Sequence, residues 1–193
     1  MKKTLIQSGL VATAKEFCAL KHTYSKLFGV TDGKAVGTFI EHEFGKYLES
    51  RYTVQIGSSA SGLDLPSLET DVKVTSIRQP QSSCPFRSAR QKVYGLGYNL
   101  LLFVYAKHDA QKAKTAKLTF VSCAFIDKSR TADYQTTRGI LEILGQDGNR
   151  DDILAFLSDR NLPGDEIVLN TLADEITQSP PVLGYLTISN ALQ

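Results

Sequence analysis

Residues 62–76, GLDLPSLETDVKVTS, bring four charged side chains close together in the sequence: Asp64, Glu69, Asp71 and Lys73. Strand alternation predicts that Asp71 and Lys73 share one face, about 7 Å apart along the strand. A tight turn at Pro66 and Ser67 would join two short strands and return Asp64 alongside them. Clustered acids are costly to bury unless something compensates their charge. That partner is Lys73 alone, a metal ion or water.

Two carboxylates beside a lysine have the chemistry needed for hydrolysis of a phosphodiester bond. Carboxylate oxygens are hard ligands of the kind that Mg²⁺ prefers. A bound metal ion lowers the pKa of a water and neutralises charge in the transition state, and Lys73 could orient or deprotonate that water. An isolated Asp-x-Lys is explained more simply as a solvated strand face, so the surrounding sequence has to decide.

A predicted helix at about residues 34–50 precedes the hairpin and supplies a further acid. Glu41 lies at the edge of its apolar stripe on a helical wheel, where an acid can face a cleft. Glu43 flanks the stripe on its other side and is the alternative. The stripe itself consists of Val36, Ile40, Phe44, Tyr47 and Leu48.

The order of these residues resembles the PD-(D/E)xK nuclease superfamily, the fold of many type II restriction endonucleases and of archaeal Holliday-junction resolvases. In that pattern an Asp is followed by Asp/Glu-x-Lys on an adjacent strand, here Asp64 and then Asp71-Val72-Lys73. The segment GTFIEHEFGKYL is similar to the resolvase-type helix and places Glu41 in its acidic position. The resemblance covers about residues 36–105. It departs from the pattern at Leu63, where the superfamily has proline, and in the spacing from Asp64 to Asp71, which is shorter than usual in the superfamily.

The resemblance implies an α/β restriction-endonuclease-like core, with a mixed four- or five-stranded sheet flanked by helices. It implies a Mg²⁺-dependent type II restriction endonuclease that acts on double-stranded DNA as a homodimer and leaves 5′-phosphate and 3′-hydroxyl ends. Asp64 and Asp71 would ligate the metal, Glu41 would support the metal or its water, and Lys73 would position the attacking water.

Two alternatives stay open from the sequence. The first is a structure-specific repair or junction-resolving nuclease of the same fold. The second is a non-catalytic DNA-binding domain that kept the fold, although the intact Asp64, Asp71 and Lys73 argue against it.

The polar block that follows the hairpin offers candidate DNA contacts. Gln and Arg side chains read adenine and guanine edges in the major groove, and cations also meet phosphates. The candidates are Gln79, Gln81, Arg87, Arg90 and Gln91.

Length and composition set the remaining bounds. The 193 residues, 42% hydrophobic and 22% charged, predict a single domain. The resemblance implies that it is a nuclease domain, with a core at about 34–128 and a mostly helical part at 129–193. The longest apolar run, Leu100–Ala106, is too short to span a membrane. Three cysteines without zinc spacing favour reduced thiols and the cytoplasm. The net charge of +2 neither supports nor excludes a nucleic-acid partner.

Periodicity predicts the remaining elements. Helices are expected at about 10–28, 87–98, 134–144, 150–159 and 163–177, and strands at 52–57, 100–107, 117–127 and 182–189. The helix between the hairpin and the 100–107 strand would allow a crossover, so the sheet should be mixed.

Overall fold

A computed structural model describes residues 2–57, 62–78 and 86–186. Its strands are β1 (Lys3–Thr4), β2 (His22–Tyr24), β3 (Tyr52–Thr53), β4 (Thr70–Ser76), β5 (Asn99–Ala110) and β6 (Thr115–Ile126). Its α-helices are α1 (Gln7–Ala19), α2 (Gly33–Arg51), α3 (Ala89–Tyr94), α4 (Tyr134–Gly145), α5 (Arg150–Asp159) and α6 (Glu166–Gln178). The chain divides into two compact units, residues 1–81 with 99–125, and residues 82–98 with 126–193.

The first unit contains a four-stranded sheet in the order β2-β6-β5-β4. β4 and β5 are parallel, with Asp71 opposite Leu100 and Lys73 opposite Leu102, whereas β2 is antiparallel to β6. A parallel pair requires a long connection, and here that connection contains α3. This mixed sheet with flanking helices confirms the predicted α/β restriction-endonuclease-like fold.

Helix α2 packs against β4 and brings its own acid toward the sheet. Asp32 caps the helix by accepting a hydrogen bond from the Lys34 backbone N–H. The predicted apolar stripe is buried at Val36, Ile40, Phe44 and Leu48. Phe44 meets Phe17 and Phe103 in edge-on ring contacts, with centroids 5.2 and 5.0 Å away. The stripe thereby fixes the rotation of α2 and so the direction of its polar edge.

The second unit is a helical assembly around an apolar cluster of its own. Side chains of α3, α4, α5 and α6 meet in this cluster, at Ala89, Val93, Ile140, Ile153, Leu157, Leu172, Ala173 and Ile176. Helix α3 ends at Gly95, whose φ is +93°. A Cβ at that position would lie 2.8 Å from Thr131 Oγ1 and 2.9 Å from the Lys128 carbonyl oxygen. Glycine is therefore required at this helix end, which lies before the end of the helix predicted at about 87–98.

Several predicted elements have different bounds in the structure. The helix expected at about 10–28 ends at Ala19, because His22–Tyr24 pairs with β6. The strand expected at 52–57 is only the two residues of β3. In the described part of the predicted 182–189 strand, Leu186 forms an isolated bridge to Asp133. Among the described residues, no helix combines the length and the apolar character that a bilayer span requires.

The largest local difference concerns the predicted hairpin. Its first arm is no strand: Leu65 makes one bridge to Thr70, and Pro66–Leu68 forms a 3-10 turn between them. Thr70 and the six residues after it form β4. Asp64 therefore lies in a loop, and the tight turn folds it back toward the strand.

Candidate active site

Strand β4 presents Asp71 and Lys73 on one face as an ion pair. Lys73 Nζ lies 2.7 Å from Asp71 Oδ2. The carboxylate is 12% exposed and the lysine side chain 41% exposed. Strand alternation places both side chains on the same side because they are two residues apart. The pair therefore combines a nearly buried acid with a cation that reaches toward solvent.

Asp64 joins this pair from the loop that precedes β4. Its Oδ2 accepts a hydrogen bond of 2.8 Å from the Val72 backbone N–H. Its backbone carbonyl accepts another, also 2.8 Å, from Gly57 N–H. The Asp64 carboxylate is close enough to Asp71 to raise the pKa of that acid. Two like charges at this range disfavour ionisation of Asp71, so the site gains from a compensating positive charge.

Glu41 approaches from α2 and feels the charges of Asp64, Asp71 and Lys73. With Asp64 it lines a cavity of about 630 Å³, whose apolar wall includes Phe44, Leu48 and Val72. Glu43 has a different environment, since its carboxylate is paired with Lys46 at 2.7 Å. The structure thus brings Glu41, and not Glu43, into the group formed by β4 and the loop.

The ionisation of the three charged groups on this face reflects burial opposed by neighbouring charge. Burial, followed by the charge of Asp64, raises the pKa of Glu41 to about 7. Burial also raises the pKa of Asp71 to about 6; Lys73 opposes this rise and Asp64 adds to it. Burial works against the charged form of Lys73, but Asp71, Glu41 and Asp64 together outweigh it and raise the pKa of the lysine. Glu41 and Asp71 thus favour their protonated forms more than free acids do, and a bound cation would oppose this preference.

The donor set fits a hard divalent cation. Asp64 and Asp71 offer carboxylate oxygens at the same place, and Glu41 offers a third acid nearby. Within the described ranges, no three His, Cys, Asp or Glu side chains already converge in the arrangement of a metal site. The fit therefore rests on the Asp64–Asp71 pair, where a cation would compensate the negative charge.

Three of the five predicted DNA contacts, Arg87, Arg90 and Gln91, lie in the second unit. Gln79 and Gln81 lie outside the described residues. In the second unit, the Arg90 guanidinium donates to both carboxylate oxygens of Glu175, at 2.6 and 3.2 Å. Gln91 Oε1 accepts from the Arg87 backbone N–H at 2.7 Å, which supports the first turn of α3. Arg87 itself is exposed. Arg90 and Gln91 thus both have partners within their own unit.

Sequence reasoning missed the polar residues that shape the loop around Asp64. Thr70 and Asn99 are buried and both donate to the Leu68 carbonyl oxygen. The available signal was an asparagine directly before the apolar run LLLFVY, because a polar residue at the start of a buried strand needs a partner.

Comparison with known proteins gives two matches. The model of a family described as type II restriction enzyme NspV matches residues 4–193. A curated protein, the type II restriction enzyme NspV of Nostoc sp. (strain ATCC 29411 / PCC 7524), is 59% identical over 172 residues, which are 89% of this chain and 78% of that protein. No solved structure gives a significant match.

Proposed function

Because this chain belongs to the family of the type II restriction enzyme NspV, we propose that it cleaves double-stranded DNA with Mg²⁺ at the site formed by Glu41, Asp64, Asp71 and Lys73. The membership confirms the prediction of a type II restriction endonuclease, and with it that of a DNA endonuclease. It also favours restriction over the repair and junction-resolving alternatives. The observation that carries the site is the contact of Asp71 with Lys73, together with the Val72 N–H that holds the Asp64 carboxylate at the same strand.

Asp64 and Asp71 are the proposed metal ligands, and Glu41 supports the metal or its water. When bound, Mg²⁺ would lower the pKa of a water and neutralise charge on the phosphate. The chain itself supplies the orientation. The Val72 backbone N–H holds Asp64 Oδ2, and Lys73 holds Asp71 Oδ2. One oxygen of each carboxylate is thereby held in place.

Lys73 is the proposed positioning group for the attacking water. Its ammonium group is more exposed than the carboxylate that it contacts, so it can meet a water or a phosphate oxygen at the edge of the site. Its raised pKa keeps it protonated at neutral pH. A protonated lysine acts as a hydrogen-bond donor and stabilises negative charge, and it is not the base that removes the water's proton.

The remaining parts of the proposal concern assembly and compartment. Gln79, Gln81, Arg87, Arg90 and Gln91 stay proposed DNA contacts, with the two glutamines as candidates for base recognition. A homodimer would supply one active site for each DNA strand. The described cysteines Cys18 and Cys123 are both free thiols, which suits the cytoplasm.

The direct test is Asp71→Asn, assayed on phage DNA with and without Mg²⁺, with the fragment ends mapped. We expect cleavage to fall by at least about a hundredfold, on the scale of losing an essential group in acid–base or metal chemistry. DNA binding should persist because the change removes a negative charge that faces phosphate. Cleavage at the wild-type rate would contradict the assignment.

Asp109→Asn is the matched control. Asp109 pairs with Lys107 at 2.6 Å, again two positions apart, on the neighbouring strand β5. It has the same chemistry as the Asp71–Lys73 pair without Asp64 beside it. We expect this variant to cleave DNA like the wild type, which would show that the effect belongs to the Asp71 site and not to any Asp–Lys pair of the sheet.

A further inference from the structure

The turn that precedes β4 is held by two buried polar side chains outside the charged group. Asn99 is 7% exposed and Thr70 is fully buried. Asn99 Nδ2 donates to the Leu68 carbonyl oxygen at 3.0 Å, and Thr70 Oγ1 donates to the same oxygen at 2.8 Å. The Asn99 backbone N–H donates to the next carbonyl, that of Glu69, at 2.7 Å. Asn99 thus binds two consecutive carbonyl groups of the turn.

This turn needs outside support because its backbone is not relaxed. Glu69, at its end, has φ of +46° and lies in the left-handed region, which costs a non-glycine residue free energy. Leu65 and Thr70 exchange backbone hydrogen bonds of 2.9 and 3.2 Å across the turn. These bonds close the loop, but they link it only to β4, the edge strand of the sheet.

We infer that Asn99 is a positioning residue for the reaction: its side chain clamps the Pro66–Leu68 turn to β5 and so holds the Asp64 carboxylate beside Asp71. The inference rests on the proposed function, in which Asp64 is a metal ligand. β5 lies between β4 and β6 in the sheet, so it is a better-supported reference than the edge strand. Asn99 stands opposite Thr70 in the β4–β5 register.

The hydrogen bonds of Asn99 to the turn lie only a few residues along the chain from Asp64. Leu65, whose backbone is paired with Thr70, directly follows Asp64 in the chain. The carboxylate then meets the Val72 N–H at 2.8 Å, two residues beyond Thr70. A looser turn would let Asp64 move away from this N–H, and a ligand displaced by a fraction of an ångström loses much of its contribution to a metal site. The loss should fall on metal affinity, since neither Asn99 nor the turn carries a cation for DNA.

The test is Asn99→Asp, which keeps the shape of the side chain and replaces its donor by an oxygen that repels the Leu68 carbonyl. We expect the Mg²⁺ concentration for half-maximal cleavage to rise about tenfold, the lower end for loss of an outer hydrogen bond around a metal ligand. Excess Mg²⁺ should restore much of the rate. The dissociation constant for DNA without metal should equal that of the wild type. A folded variant with the wild-type Mg²⁺ dependence would overturn the inference.

Thr70 provides a second route if Asn99→Asp does not fold. Thr70→Val removes the other donor to the Leu68 carbonyl, while Thr70→Ser keeps the hydroxyl. We expect the valine variant to need more Mg²⁺ and the serine variant to stay near the wild type. If valine and serine behave alike, the hydrogen bond to this carbonyl does not position Asp64.

Asp64→Asn separates this inference from the proposed function. The proposed function requires that Asp64→Asn fail to cleave DNA at any Mg²⁺ concentration. If it cleaves normally, Asp64 is no ligand and the proposed function fails. If it is inactive while Asn99→Asp is normal, the proposed function stands and only the clamp is overturned.

Discussion

At the scale of single residues, Glu41 and Glu43 are the same residue type on one helix, and only their surroundings decide which of them lies at the proposed site. Both acids were candidates from the helical wheel, but Lys46 pairs with Glu43, whereas Glu41 lies near Asp64 and Asp71. The Asp71–Lys73 contact was predictable because strand alternation is strict. The role of Asn99 was not, because a single amide at the start of a strand leaves no periodic pattern in the sequence.

Substitution of Glu41 and of Glu43, each by glutamine, should therefore have unequal effects on cleavage. We expect Glu41→Gln to lower the cleavage rate by at least about tenfold, as for loss of one positioned catalytic group. Glu43→Gln should have little effect, since it removes only a pair at the helix surface. Cleavage rates of both variants at saturating Mg²⁺ provide the comparison. A larger loss with Glu43→Gln would show that the other face of α2 serves the site.

The raised pKa of Glu41 makes the metal-free protein sensitive to pH. The folded state keeps the proton up to a pKa of about 7, above the ordinary value of 4.5. The folded chain therefore binds more protons than the unfolded chain between these values, and stability is lost as the pH rises through them.

We expect Glu41→Gln to escape this loss. In EDTA, its melting temperature relative to the wild type should increase from about pH 5 to about pH 8, by about 2–4 °C for each 1 kcal/mol regained. Thermal melts of both proteins across this range measure the difference. A difference that does not change with pH would show that Glu41 ionises normally in the folded state.

At the level of helices and strands, the approach of α2 to β4 depends on a glycine. A Cβ on Gly37 would lie 3.3 Å from the Val74 carbonyl oxygen, which belongs to the strand backbone. A Cβ on Gly45 would meet Ile56 at 3.7 Å or more, an ordinary contact. Two glycines of one helix thus have different reasons to be there, and only Gly37 sets the distance from Glu41 to the strand of Asp71.

Alanine at these two positions should separate the effects. Gly45→Ala should stabilise the protein by about 0.5–1 kcal/mol, through helix propensity. Gly37→Ala should gain less stability and lower the cleavage rate by about three- to tenfold, because displacement of α2 moves Glu41. Melting temperatures and cleavage rates test both expectations. Full activity with Gly37→Ala would show that the strand yields without moving the site.

The predicted helices that carry strong N-caps agree closely with the structure. Asp133, Asn149 and Asp165 cap α4, α5 and α6, and these helices begin within three residues of the predicted starts. The region after Ala19 was misjudged because its apolar residues also fit a helix. There, pairing with β6 and the bonds of His22 to the Phe17 carbonyl and to Tyr24 decide the conformation. Such long-range contacts override local propensity.

For the chain as a whole, two apolar cores correspond to the two units. The first surrounds Phe44, Leu101 and Phe103, and the second lies among α3 to α6. The four proposed catalytic residues all belong to the first unit. One chain thus offers one proposed site, while cleavage of duplex DNA requires hydrolysis on two strands of opposite direction.

A two-fold symmetric pair of chains would meet that requirement, so we expect a homodimer. Analytical ultracentrifugation without DNA should give a mass of about 42 kDa, twice that of the 21.2 kDa chain. Mixed dimers of wild-type and Asp71→Asn chains should nick one strand of a plasmid. A monomer at assay concentrations that still cuts both strands would contradict this expectation.

The interleaving of the two units has a consequence for synthesis on the ribosome. All strands of the four-stranded sheet are complete once residue 126 has emerged, so the fold around the catalytic residues can form early. Helix α3 emerges before β5, but the helices that cover its buried Ala89 and Val93 are translated last. A nascent chain therefore carries a nearly finished sheet together with α3, whose apolar Ala89 and Val93 are not yet covered, and we expect these side chains to be a point of contact for a chaperone.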